Sequence, residues 1–187
     1  MEVSLDRWTN SAWWYLASPY SKYKDGHDSA FLIVRHMASV LWFRRHVQVF
    51  SPIVYTHQFA AYAKYVGKDS ADEWYKLDKP FLDQSIGVMI AGIPGWEDSS
   101  GVRWEAVQAF ESGKPVVLCR MTEVRARTST VFRITFTELV APRTFDRRID
   151  ASTIFEDVVK IPMKADELKQ LERQGAGALH NLREYNY

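Results

Sequence analysis

At 187 residues, with 47% hydrophobic and 25% charged positions, the chain has the make-up of one globular domain with a sizeable core. A net charge of +1 gives no mark of a partner that is a nucleic-acid polymer or an anionic membrane. A single cysteine, Cys119, forms no internal disulfide and points to a reducing compartment, the cytoplasm; no apolar run reaches a membrane span, no basic-then-apolar leader opens the chain, and the five histidines lack metal-ligand spacing.

In chain order, "WWYLASPYS" at 13–21 predicts a short apolar strand that runs into a loop at Ser18-Pro19. Asp28 is the expected N-cap of a helix through "SAFLIVRHMASVLWFRRH", where Phe31, Val34, Ala38, Leu41 and Trp42 recur at helical spacing. "VQVFSPIVY" at 47–55 predicts a second strand with Pro52 near its end. Residues 56–85 predict helix in two pieces, broken around Gly67 to Ser70, with Pro80 set to kink the second piece or to start a new helix. "IGVMIAG" at 86–92 is apolar throughout, as a parallel strand covered on both faces should be. The loop "IPGWEDSSG" leads to a helix closed by Gly113, and "PVVLCR" gives a fourth strand. Strands alternating with helices imply right-handed crossovers and a parallel sheet, an α/β fold. Beyond residue 120 the pattern changes. "TVFRITFTEL" alternates Phe132, Ile134 and Phe136 on one face, as an edge strand or hairpin would; "KADELKQLERQ" predicts a polar C-terminal helix, and "GAGALHNLREYNY" is left unassigned. The whole, 1–187, is taken as one domain with a core at 13–120 and an extension at 121–187.

In an open parallel sheet, ligands bind beyond the carboxyl ends of the strands. Three segments reach that edge: "SPYS" with Ser18 and Tyr20, "SPIVYTH" with Tyr55 and His57, and "GIPGWEDSSG" with Trp96, Ser99, Ser100 and Gly101. The third leads into a helix N-terminus, whose free N–H groups suit an anion. Glu105 borders the apolar face of that helix, which centres on Val102, Ala106, Ala109 and Phe110. Counted from Ser100 as cap it misses the capping-box position, so two roles fit it: a dipole or surface carboxylate, and a carboxylate turned to the sheet edge. Asp78 and its neighbour Asp83 compete for a second acidic role, with a helix-end or solvated-face aspartate as the plain alternative. Two carboxylates from separate elements are what glycosidic cleavage requires.

Taken together, "YLASPYS", "SPI", "DKPFLD", "VMIAG" and "GWEDSSGVRWEAVQAFESGKPV" resemble the nucleoside 2-deoxyribosyltransferase superfamily, above all its nucleotide N-hydrolase branch and related bacterial and phage proteins. The resemblance covers roughly residues 13–120 and is most specific from Gly95 to Val117. It implies a flavodoxin-like (Rossmann-like) sheet with helices on both faces. It also implies cleavage of the N-glycosidic bond of a deoxyribonucleoside or its 5'-monophosphate, without a cofactor. The family's nucleophile corresponds to Glu105, its partner aspartate to Asp78, and the first-strand tyrosine that positions the nucleophile to Tyr15, a position that also suits a core aromatic. Six residues before the glutamate, Ser99 stands where the nucleotide hydrolases carry a phosphate-binding serine and the transferases an aspartate; Asp98 is its neighbour, so a shift of one residue reverses the inference. Ser99 or Ser100 also serves as a plain N-cap. Ser100, Gly101, Ser18, Tyr20, Trp96 and His57 complete the candidate substrate-binding set, Trp96 to stack on a base or else to cover the sheet edge, His57 with a structural alternative. The sequence departs from the family at Gly87, where the third strand often begins with Asp. It also lacks a first-loop Arg, for which Lys22 and Lys24 are substitutes and Arg103 a further source of charge. A homodimer or larger homo-oligomer is implied, with the C-terminal "YNY" as a contribution to a neighbour's site.

Two other functions stand beside glycosidic hydrolysis or transfer. A non-catalytic nucleotide-binding module on the same fold is compatible with every residue above. A dinucleotide enzyme is disfavoured, because no G-x-G-x-x-G turn follows the first strand.

Overall fold

The computed structural model describes residues 12–125, 130–140, 155, 159–164 and 166–174. Six strands form one sheet in the order β2-β1-β3-β4-β5-β6. β1 (Trp14–Ala17), β2 (Val49–Phe50), β3 (Gly87–Ala91) and β4 (Val116–Arg125) run parallel, whereas β5 (Thr130–Val140) and β6 (Val159–Met163) are antiparallel additions. The order of the first five strands is that of a flavodoxin-like sheet, with the fifth reversed. The helices are α1 (His27–Arg45), α2 (Pro52–Tyr65), α3 (Ala71–Gln84), α4 (Ser100–Glu111) and α5 over residues 166–174.

Strand alternation sorts the core into two layers. Trp14, Leu16, Met89, Ala91, Val117 and Cys119 face one side, where α1 contributes Val34, Met37 and Leu41 at helical spacing. Tyr15, Ala17, Val88, Ile90, Val116 and Leu118 face the other, against Leu82 of α3 and Val102, Ala106 and Ala109 of α4. Both faces of β1 and β3 are buried, which explains their unbroken apolar sequences. α5 is polar along most of its length, yet Leu168 is buried in the first layer and Glu172 accepts a hydrogen bond from Trp14 Nε1 at 3.1 Å.

The structure corrects several expectations. The second strand is only two residues long, and "PIVY" opens α2 instead: Pro52 occupies the first turn and the Ser51 hydroxyl accepts from Val54 N–H. That geometry leaves Pro52 without a donor to lose. α1 is preceded by Gly26 at φ 87° with no side-chain cap, so Asp28 lies inside the first turn. Pro80 sits within an unbroken α3 and starts no new helix. Ser99, not Ser100, caps α4 and accepts from Val102 N–H at 3.4 Å, which moves Glu105 into the second turn. β6 was not foreseen. The Gly87 departure has a steric cause: a Cβ there would meet Pro115 O at 2.6 Å and the Trp14 ring at 2.7 Å, so no aspartate fits. The "YNY" segment lies outside the described residues. Among the described residues no helix is long and apolar enough to cross a membrane.

Candidate active site

The carboxyl ends of β1, β2 and β3 open into a cavity of about 370 Å³, within the usual range for small-molecule sites. Its floor holds two acidic groups. Glu105 of α4 and Asp78 of α3 both line the cavity and are each only 8% exposed. Behind Glu105, the fully buried Tyr15 donates its hydroxyl to Glu105 Oε1 at 2.7 Å. Asp78 Oδ1 is buried with no hydrogen-bond partner. Asp83 points away and pairs on the surface with Lys79 at 2.7 Å, so the competition between the two aspartates is decided by burial.

Burial sets the electrostatics. Desolvation pushes the Glu105 carboxyl up to about 8; the Tyr15 hydrogen bond opposes this and the Asp78 charge adds to it. Desolvation likewise lifts Asp78 to about 7. Two carboxyls that repel across one hollow shed their protons as a coupled pair. The Tyr15 phenol is held well above its ordinary value, first by burial and then by the Glu105 and Asp78 charges, so it remains a donor.

The rim beside Glu105 is the N-terminus of α4. Ser99, Ser100 and Gly101 all line the cavity. The Ser99 oxygen is occupied as a cap, which leaves its proton free to donate. Gly101 leaves room over the helix end, since a Cβ there would meet nothing nearer than Ser99 Oγ at 3.9 Å. Asp98 does not reach the cavity; it is exposed and 3.8 Å from Arg103 Nη2. The residue facing the ligand space is therefore the serine, and Arg103 is turned to Asp98. Neither Lys22 nor Lys24 lines the cavity.

The opposite wall comes from the loop after β1 and from α2. Ser18 lines it with a buried hydroxyl that has no partner, and Tyr20 donates to or accepts from His57 Nδ1 at 2.8 Å. Trp96 is not part of the site: it is buried and packs its ring on Phe155 at 4.9 Å, away from the cavity. Tyr55 is half-exposed, with its ring beside Phe50 at 6.1 Å and Phe81 at 6.3 Å, and does not line the cavity. The sequence reading missed Trp74 and Tyr75 of α3, which share a helix face with Asp78 at spacings of four and three and could have been found from it. Tyr75 stacks on Trp104 at 4.4 Å, tying α3 to α4. His27 and Asp69 also line the cavity and had no signal in the sequence.

Residues 13–121 match the model of a family described as a domain of unknown function, DUF1937. The chain belongs to the DUF1937 family. No curated protein matches it. The DUF1937 segment runs from β1 into β4 and contains every side chain of the cavity floor and rim, while β5, β6 and α5 lie outside it.

Proposed function

We propose that this DUF1937 protein cleaves the N-glycosidic bond of a deoxyribonucleoside 5'-monophosphate or nucleoside, as the resemblance to the nucleoside 2-deoxyribosyltransferase superfamily implies. The observation that carries the reading is the Glu105 carboxyl, buried on a cavity wall and held by the Tyr15 hydroxyl at 2.7 Å. As the C1'–N bond breaks, its electron pair leaves with the base and a Glu105 oxygen bonds to C1'. Asp78 in its protonated form supplies the proton that the departing base needs. Water then attacks C1' of the glycosyl ester, Glu105 is regenerated and the water's second proton returns to Asp78. A second base in place of water gives transfer. The serine hydroxyls and free N–H groups at the start of α4 suit a 5'-phosphate, and no cofactor enters any step. The reading extends to a homo-oligomer: α2 leaves Tyr55, Phe59 and Tyr62 exposed along one face, a surface a second copy could cover.

A second reading has its own support. With Glu105 lifted to about 8, the folded protein holds it mostly protonated at neutral pH, as a hydrogen-bonding acid and not a nucleophile. That suits a nucleotide-binding module. Incubation with a panel of deoxynucleosides and their monophosphates, followed by chromatography for free base, separates the two. Release by the wild type that vanishes in Glu105→Ala supports catalysis. Binding without release by any member of the panel overturns it in favour of the module.

A further inference from the structure

The cavity holds one aromatic ring that neither reading uses. Of the rings that line it, Tyr20 already stacks on His27 at 4.2 Å and 13°, His57 on Phe31 at 4.3 Å and 8°, and Tyr75 on Trp104 at 4.4 Å and 13°. Trp74 lines the cavity too, yet its indole stacks on no other ring among the described residues. It is partly buried and stands four residues after Ser70, the cap of α3.

The polar atom of that indole is occupied. Trp74 Nε1–H donates to Asp69 Oδ1 at 2.9 Å, and Asp69 lies on the cavity wall just before the Ser70 cap. The bond holds the ring by its edge, so what Trp74 offers a ligand is the apolar surface of its π faces. Asp78 follows Trp74 by four residues on α3, on the same helix face and about 6 Å along the axis. Its Oδ1 is buried on the cavity without a partner. A flat ring laid on Trp74 therefore turns an edge toward an unpaired carboxyl oxygen. That pairing of an apolar face with a polar group one helical turn away suits a heteroaromatic ring with polar atoms along its edge.

We propose that Trp74 is the stacking platform for the heteroaromatic ring of the ligand, with Asp69 as the positioning residue that fixes the indole. Under the nucleotide readings, on which this inference rests, that ring is the base. Stacking accepts every base, because every base has a π face, so Trp74 adds affinity without choosing among bases. The choice falls to contacts at the edge of the base, that of Asp78 among them.

Calorimetric binding tests the proposal in Glu105→Gln, which keeps the shape of the cavity and, under the glycosidase reading, leaves its ligands intact. The probes are deoxyadenosine and deoxycytidine, each with and without a 5'-phosphate, and 2-deoxyribose 5-phosphate, which has no base. Added to this parent, Trp74→Leu keeps apolar bulk but has no π face. It should weaken the base-bearing ligands of both kinds by about tenfold or more and leave the sugar phosphate unchanged. Trp74→Phe should restore part of the loss. Asp69→Ala should weaken the same ligands less than Trp74→Leu does, and Asp69→Asn, which keeps the acceptor, should match the parent. Unchanged affinity in Trp74→Leu, an equal loss for the sugar phosphate, no recovery in Trp74→Phe, or no binding of any base-bearing probe by the parent overturns the proposal. The stacking pattern without base release by the wild type would remove the glycosidase reading alone. Base release with the same KM in the wild type and in Trp74→Leu would remove this proposal alone.

Discussion

Glu105 and Asp78 face one cavity without a cation beside either carboxylate among the described residues, and this fixes how the site should respond to pH. Nucleophilic attack requires Glu105 ionised, and proton delivery requires Asp78 protonated. With the pair lifted to about 8 and about 7, kcat/KM for base release should follow a narrow bell centred between those values. Asp78→Asn removes the group whose deprotonation ends proton delivery, so the basic limb should disappear while the maximum falls by roughly 10²–10⁴-fold, the usual worth of a general acid. A pH–rate profile of the two proteins checks both points, and a basic limb that persists in Asp78→Asn would take the acid role away from Asp78. At this scale the sequence was legible mainly through the family motif. Spacing alone left Glu105 open between surface and site, because a border position on a helix does not reveal whether the neighbouring element covers it. Trp96 shows the converse: a tryptophan in a glycine-rich loop suggested base stacking, but its large apolar surface is buried on Phe155 from beyond the family segment.

The start of α4 couples stability to recognition through one hydroxyl. Ser99 accepts from Val102 N–H and keeps its proton for a ligand, so Ser99→Ala removes a cap and an anion donor together. The expected cost is about 1 kcal/mol of stability by denaturant unfolding, with a loss of affinity for a 5'-monophosphate that exceeds any loss for the corresponding nucleoside. Equal losses for both ligands would remove the phosphate from this end of the cavity. The other elements show where sequence patterns mislead. "VQVFSPIVY" carries β-branched and aromatic residues in a strand-like run, and that density concealed a helix start whose cues were present: a serine cap followed by proline in the first turn. The error started the helix at residue 56 in place of Pro52, and the approach of His57 to Tyr20 went unread. The parallel strands were legible because both of their faces are buried. β6 was not: Val159, Ile161 and Met163 do alternate with Lys160 and Pro162, but a proline inside so short a run argues against a strand and is tolerated only at a sheet edge.

The DUF1937 segment ends within β4, yet the molecule does not end there as a packing unit. β5 pairs with β4 over its full length, and Ile134, Phe136 and Leu168 are buried in the same layer as Trp14 and α1. A chain cut after residue 125 would expose the long β4 edge and that apolar layer, and should elute as aggregate in size-exclusion chromatography where the full chain does not. Burial of the acidic pair has a consequence for the same whole-molecule stability. Glu105 has a folded value of about 8 against an ordinary 4.5, so the folded state holds its proton more tightly than the unfolded chain does. Stability from this group is therefore complete below about pH 4.5 and is lost as pH rises through about 8. At roughly 1.4 kcal/mol per unit, the full window is on the order of 3–5 kcal/mol. Glu105→Gln keeps the shape and still accepts from Tyr15, but has no charge to bury. Its melting temperature should match the wild type near pH 5 and exceed it by several degrees above pH 8, as paired thermal melts across that range would record. A constant difference at all pH values would mean that the cavity solvates the ionised carboxylate, and with it would go the burial that makes this glutamate a candidate nucleophile.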